Sequence, residues 1–205
     1  MKRVALPEAW RSRAIVIAET DLPDDWFTAG ELATAGSFRL EKRQTEWKRS
    51  RIAAKQLAID LGLCVSPRDC MVERPELRAP GVTRHVSISH SGAYAGAAID
   101  AGPIGIDVER VRELRASAAH LFLTSAEEAA MRDSSVPHAI LHFWAAKEAA
   151  WKKRGGSVET LKRVPLRLEA ETASGLRFDD VETFASGDLV VALTRPSGAA
   201  GSSRR

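Results

Sequence analysis

The chain has 205 residues, 44% hydrophobic and 28% charged, with a net charge of +3 and a pI near 9.1. That length and balance belong to a soluble globular protein of one large domain or two small lobes. They exclude a transmembrane helix, because no apolar run approaches the roughly 20 residues such a helix needs. The slight basic excess favours an acidic partner or a phosphorylated small molecule and says little about nucleic acid. One Tyr and six Phe form no aromatic nucleic-acid motif. The N-terminus, MKRVALPE, is basic without a hydrophobic signal segment, so a cytoplasmic protein is expected. Cys64 and Cys70 are too few for a disulfide framework and fit no usual zinc spacing; both read as ordinary residues.

In chain order, residues 13–18 (RAIVIA) read as a buried strand and residues 27–35 as a short helix. Residues 40–61 are predicted as a long helix with Trp47, Ile52, Ala54, Leu57, Ala58 and Leu61 on its apolar stripe. Its other side carries Lys42, Arg43, Lys48, Arg49, Arg51 and Lys55, and Gly62 caps it. Residues 64–84, with three prolines, read as loop with short strand pieces. Residues 86–90, 93–99 and 104–109 read as three strands joined by tight turns, a meander that is at least partly antiparallel. Ser125 and Glu128 read as a capping box, and Pro137 opens a helix that runs to about Lys153 and stops at Gly155-Gly156. Residues 166–168, 176–178 and 189–193 read as closing strands, and 196–205 as a disordered tail. The second half loosely echoes the first, which points to two α/β lobes with residues 100–103 as the crossover.

GIDVE at 105–109 and WAAKE at 144–148 carry the chemistry. On a strand Asp107 and Glu109 share a face, and on a helix Trp144, Glu148 and Lys152 share a stripe. Singly, each has a bland reading: a solvated strand face, or a Glu148–Lys152 surface pair. Jointly, three carboxylates beside a lysine suit a magnesium ion that also holds phosphates. His90 reads equally as a strand-end residue or a phosphate contact, with Ser89 and Ser91 as further donors. Arg51 and Lys55 read as solubilising a helix face, and Trp144 and Trp151 as core.

Taken together and in order, WKRSRIAAK (47–55), VSISHSG (86–92), PIGIDVE (103–109), Phe122, Glu128 and FWAAKEAAWK (143–152) resemble the 4′-phosphopantetheinyl transferases of the two-lobed Sfp type. The resemblance spans about residues 38–155, more weakly to 193. It implies an α/β (α+β) fold of two similar lobes in a pseudo-twofold arrangement, each a small, largely antiparallel sheet packed with a long helix. The lobes would be residues 1–101 and 102–195, the second carrying the metal site, with coenzyme A in the cleft between them. The length argues for a monomer over the half-length trimeric relatives.

The implied reaction moves the phosphopantetheine arm of coenzyme A to a serine of an apo acyl or peptidyl carrier protein and releases adenosine 3′,5′-bisphosphate. By resemblance, Asp107, Glu109 and Glu148 hold Mg²⁺. Glu148, or a metal-bound water, is the base. Lys152 contacts the diphosphate. His90 and Arg51 grip the nucleotide end, with Lys42, Arg43 and Ser89 as helpers, and Arg74 also reaches coenzyme A. Glu73 stands where the family often has glycine, and the role of Lys147 stays open. Two rivals are a carrier-binding module that has lost the chemistry and a basic nucleic-acid-binding protein using helix 40–61. The intact carboxylates and Lys152 count against both.

Overall fold

A computed structural model describes residues 1–18, 21–156 and 159–196. The tail predicted over 196–205 lies, Pro196 apart, outside the described residues. The chain divides into two compact units, Met1–Ala101 and Gly102–Arg205. Among the described residues no helix is long and apolar enough to cross a membrane.

The first unit contains β1 (Lys2–Arg3), α1 (Glu8–Arg11), β2 (Ala14–Ala18), α2 (Ala29–Gly36), α3 (Glu41–Asp60), β3 (Met71–Glu73), β4 (Glu76–Ala79), β5 (Val82–Ser91) and β6 (Tyr94–Asp100). They form a six-stranded antiparallel sheet in the order β1-β2-β6-β5-β4-β3. The all-apolar β2 lies inside the sheet and is buried along its whole length, as a continuous apolar run requires. Ile52, Ala53, Leu57 and Ala58 of α3 pack on Ile15, Ile17, Ile88, Ala95 and Ala97. The alanines of β6 leave room for that helix. The segment read as loop between 64 and 84 supplies the β3–β4 hairpin and the start of β5.

The cysteines are not ordinary: Cys64 and Cys70 form a disulfide. Gly62, at φ +67°, ends α3 in the left-handed conformation glycine tolerates. The chain then folds back and brings the two Cα atoms within 6.5 Å.

The second unit contains β7 (Ile106–Arg110), α4 (Ser125–Asp133), α5 (Ala139–Lys153), β8 (Leu168–Thr172), β9 (Gly175–Phe178), β10 (Val181–Ser186) and β11 (Leu189–Thr194). Its five strands are antiparallel in the order β7-β11-β10-β9-β8. The three-strand meander is therefore corrected. β5 and β6 pair with each other, but β7 leaves their sheet and pairs with β11, Asp107 opposite Ala192. Gly105 anchors that switch: its N–H donates to Thr194 Oγ1 at 2.9 Å, and its carbonyl accepts from Thr194 N at 2.9 Å. Strand β10 escaped prediction because its buried Val181 and Thr183 alternate with Glu182 and Phe184, so no apolar run marks it.

Both units use one device to seat the long helix. Thr28 caps α2 and Glu31 returns the bond, and Thr124 and Glu127 do the same for α4. The predicted box at Ser125 and Glu128 is one residue late. Both spacings satisfy the motif, but only Glu127 also accepts from Leu166 N and reaches a buried lysine. That lysine is Lys147, fully buried, whose Nζ donates to Glu127 Oε1 at 2.7 Å and to the Val164 carbonyl. In the first unit Lys55 donates to Glu31 Oε2 at 2.8 Å and to the Trp26 carbonyl at 3.0 Å. Lys55 is thus an interior residue and not part of a solvated basic face, and Lys147 has a structural role. Breaking such a buried pair typically costs about 3–5 kcal/mol, because the partner charge is stranded.

His142, fully buried on α5, completes the second core. Thr183 Oγ1 gives its hydrogen to the Leu176 carbonyl, so His142 Nδ1 donates to Thr183 at 2.7 Å. Burial, and secondly the charge of His138, bring its pKa down to about 4. Between pH 4 and the ordinary value near 6.5 the unfolded chain therefore binds more protons, and stability rises with pH across that window. His142→Asn is expected to remove up to about 3 kcal/mol of the stability difference between pH 7 and pH 4. Urea unfolding of both proteins at the two pH values checks this; parallel losses would exclude the histidine as the cause.

Candidate active site

In the second unit β7 and α5 place the candidate side chains Asp107, Glu109, Glu148 and Lys152 together. The strand's period of two puts Asp107 and Glu109 on the face toward α5, while Ile106 and Val108 are buried on the other. Lys152 Nζ donates to Asp107 Oδ1 at 2.7 Å and to the Ile106 carbonyl at 3.2 Å. Two turns earlier on α5, Trp144 Nε1 donates to Glu109 Oε1 at 2.8 Å. Glu148 lies between them on the same stripe. Burial and then the charge of Asp107 raise the pKa of Glu148, with Lys152 acting against them. Glu109 is raised by burial and by Asp107 too, opposed by the indole N–H, Arg112 and Lys152. Asp107 is therefore the hub: it accepts the ammonium and makes both glutamates hold protons more tightly.

Among the described residues no group of three or more His, Cys, Asp or Glu side chains is arranged to hold a metal ion. The carboxylates are coupled through Asp107, but they do not form a ready cage, and the Lys152 ammonium lies against Asp107. The donors themselves are of the right kind for a hard divalent cation. A cation among them would relieve the repulsion that raises both glutamates.

Trp144 does more than fill the core. It lies edge-on to Phe122, ring centroids 5.0 Å apart, and holds Glu109 with its N–H. The i, i+4 spacing already put it on the stripe of Glu148 and Lys152; its indole N–H was the overlooked signal.

In the first unit a cavity of about 90 Å³ is lined by Arg43, Arg51, Arg74 and His90, together with Glu46, Trp47, Phe38, Ser50 and Ile88. The Arg51 guanidinium stacks on Trp47, 3.6 Å from the ring centroid. Burial, and secondly the charge of Arg74, bring Arg51 down to about 10. Its buried Nε has no hydrogen-bond partner among the described residues. Trp47 and Arg51 also line a larger cavity, about 330 Å³, with Thr28, Glu31, Thr34, Met71, Val72 and Glu73. Two predicted contacts fall elsewhere. Lys42 is exposed and reaches, among the described residues, Glu46 Oε1 at 3.8 Å, outside the arginine cavity. Ser89 is buried and does not line it, because the strand alternation that turns Ile88 and His90 inward turns Ser89 to the opposite face.

Comparison with known proteins bears on this arrangement. The family model described as the 4′-phosphopantetheinyl transferase superfamily matches residues 103–194. A holo-(acyl-carrier-protein) synthase of Staphylococcus carnosus is 30% identical over 106 residues, 47% of this chain and 91% of that protein. The chain belongs to the 4′-phosphopantetheinyl transferase superfamily. Two longer relatives carry the same family name: psf-1 of Bacillus pumilus, 30% identical over 105 residues, and Sfp of Bacillus subtilis, 32% identical over 75. Those matches cover 48% and 35% of this chain, and 44% and 33% of the two Bacillus proteins. The transferase match at 103–194 contains Asp107, Glu109, Trp144, Glu148 and Lys152 and leaves the arginine cavity outside.

Proposed function

We propose that this chain transfers the 4′-phosphopantetheine arm of coenzyme A to a serine hydroxyl of an apo carrier protein, with Mg²⁺, releasing adenosine 3′,5′-bisphosphate. The observation that carries the reading is the Asp107–Lys152 pair flanked by Glu109 and Glu148, two glutamates whose pKa values burial and then Asp107 raise, inside the segment that matches the transferase model. Carriers of fatty acid, polyketide or nonribosomal peptide synthesis supply that serine, and the reading makes the protein a cytoplasmic monomer.

A serine hydroxyl needs a base at neutral pH. Glu148 is fitted to that task, since its raised pKa gives its carboxylate a stronger hold on the proton it takes. Lys152, a fixed cation anchored on Asp107, faces the negative charge that grows as the diphosphate bond breaks. Trp144 keeps Glu109 oriented. Asp107, Glu109 and Glu148 are the residues that would hold Mg²⁺, which would neutralise diphosphate charge when bound. In the first unit Arg43, Arg51, Arg74 and His90 offer the donors for a phosphorylated nucleotide.

Incubation with coenzyme A, Mg²⁺ and a panel of apo carrier proteins, read by intact-mass spectrometry, tests the reading. The expected result is the gain of one phosphopantetheine unit on at least one carrier, lost when its acceptor serine is replaced by alanine. No mass gain on any carrier, with coenzyme A still bound, would leave a binding module in place of an enzyme.

A further inference from the structure

The arginine cavity contains one acidic residue among its lining. Glu46 is mostly buried, with 14% of its side chain exposed; its Oε2 lies 3.2 Å from His90 Nε2 and accepts from Arg43 Nη1 at 3.4 Å. Its other oxygen faces Lys42 Nζ at 3.8 Å. The helix dictates this cluster: Lys42, Arg43 and Glu46 are three and four residues apart on α3, and strand β5 brings His90 to them from across the sheet. The cavity thus holds three guanidinium groups and an imidazole around a single carboxylate.

The donors that Glu46 engages are those an incoming phosphate would use. His90 Nε2 lies 3.2 Å from the carboxylate. An anion entering the cavity must either displace Glu46 from His90 and Arg43 or sit beside a like charge at close range, which costs binding energy in a half-buried site. We infer that Glu46 is a resident competitor for the cavity's phosphate-binding donors: it keeps His90 and Arg43 ordered while the site is open and weakens the hold on the phosphorylated nucleotide. Glu46 is in this sense a specificity residue, because it sets a threshold that only a ligand with a well-placed phosphate overcomes. The inference rests on the proposed reaction for the identity of that ligand, coenzyme A, whose 3′-phosphate is the group concerned.

Glu46→Gln keeps the shape and the acceptor for His90 but removes the charge. Calorimetric titration with coenzyme A is expected to show about tenfold tighter binding to the variant. 3′-Dephospho-coenzyme A, which lacks the contested phosphate, should bind the two proteins alike. Unchanged or weaker coenzyme A binding by the variant would overturn the inference and make Glu46 a prop for His90. An equal gain for both ligands would overturn it too, by showing a general loss of negative potential. If neither protein binds coenzyme A, the proposed reaction falls, and titration with inorganic phosphate still decides the inference, since the variant must bind that anion more tightly. The wild type provides a readout that no variant is needed for. The His90 Nε2 resonance, followed by nitrogen NMR, should shift on saturation with coenzyme A or phosphate as the carboxylate acceptor is exchanged; an unmoved resonance would refute the displacement.

Discussion

Asp107→Asn is expected to lower the rate of phosphopantetheine transfer by about 10³-fold or more while leaving the protein folded. The substitution is isosteric, so no cavity opens at this buried position. What goes is the charge on which the site is organised. Lys152 loses the carboxylate it contacts at 2.7 Å and is free to leave the Ile106 carbonyl as well. Glu109 and Glu148 lose the second-largest cause of their raised pKa values and become weaker bases. Stability is governed by two opposing terms, the lost ion pair and the relief of carboxylate repulsion, so the net change should be within about 1–2 kcal/mol. The metal reading adds a measurement independent of turnover. Mg²⁺ at a hundredfold excess over its dissociation constant stabilises a folded protein by about 2.7 kcal/mol, so thermal unfolding of the wild type should rise by a few degrees with Mg²⁺. The asparagine variant should show little of that rise. Near-wild-type transfer, or an equal Mg²⁺ response in both proteins, would remove Asp107 from the centre of the chemistry.

The sequence was most legible where one local rule met one structural consequence. The helix read from 40 to 61 is α3, and the shared face of Asp107 and Glu109 follows from strand alternation. It was least legible where pairing is non-local. Nothing in residues 86–109 says that the third strand leaves its neighbours for β11, some eighty residues on; the β7–β11 ladder and the bonds between Gly105 and Thr194 fix that choice. The buried lysines show a different limit. In a helix read by type, Lys55 and Lys147 count as polar. Each is interior because a capping glutamate from a preceding helix meets it, a partnership no periodicity reveals. Ser89 lies outside the arginine cavity for a simpler reason, since adjacent strand residues face opposite sides and His90 faces in. Glu46 went unnoticed because a glutamate among basic helix residues looks like an ordinary intrahelical pair, and the partner that changes its meaning, His90, arrives from the sheet.

Gly105→Ala is expected to be the most damaging single-methyl change in the second unit. A Cβ at this position would lie 1.8 Å from the Ala149 carbonyl oxygen, 2.8 Å from its carbon and 3.0 Å from Lys153 N. All three are backbone atoms of a helix whose inner face is buried, so no side chain can swing aside. Contact at van der Waals distance requires α5 to retreat from β7 by about 1.5 Å. Overpacking usually costs about 1–3 kcal/mol, and a helix backbone that cannot yield puts this site at about 3 kcal/mol or more. The functional loss should exceed the structural one. Ala149 is the residue after Glu148, so the displacement acts directly on the distance between Glu148 and Asp107. Misplacing reacting groups by about 1 Å costs on the order of 10²-fold in rate. Gly30→Ala provides the control: it lies in α2, where a Cβ meets nothing within 4 Å, and should be neutral or stabilise the helix by up to about 1 kcal/mol. Urea unfolding and transfer assays at a temperature where both variants remain folded separate the two effects. Should Gly105→Ala unfold like the wild type and transfer at its rate, the close approach of β7 to α5 would not be what positions the site.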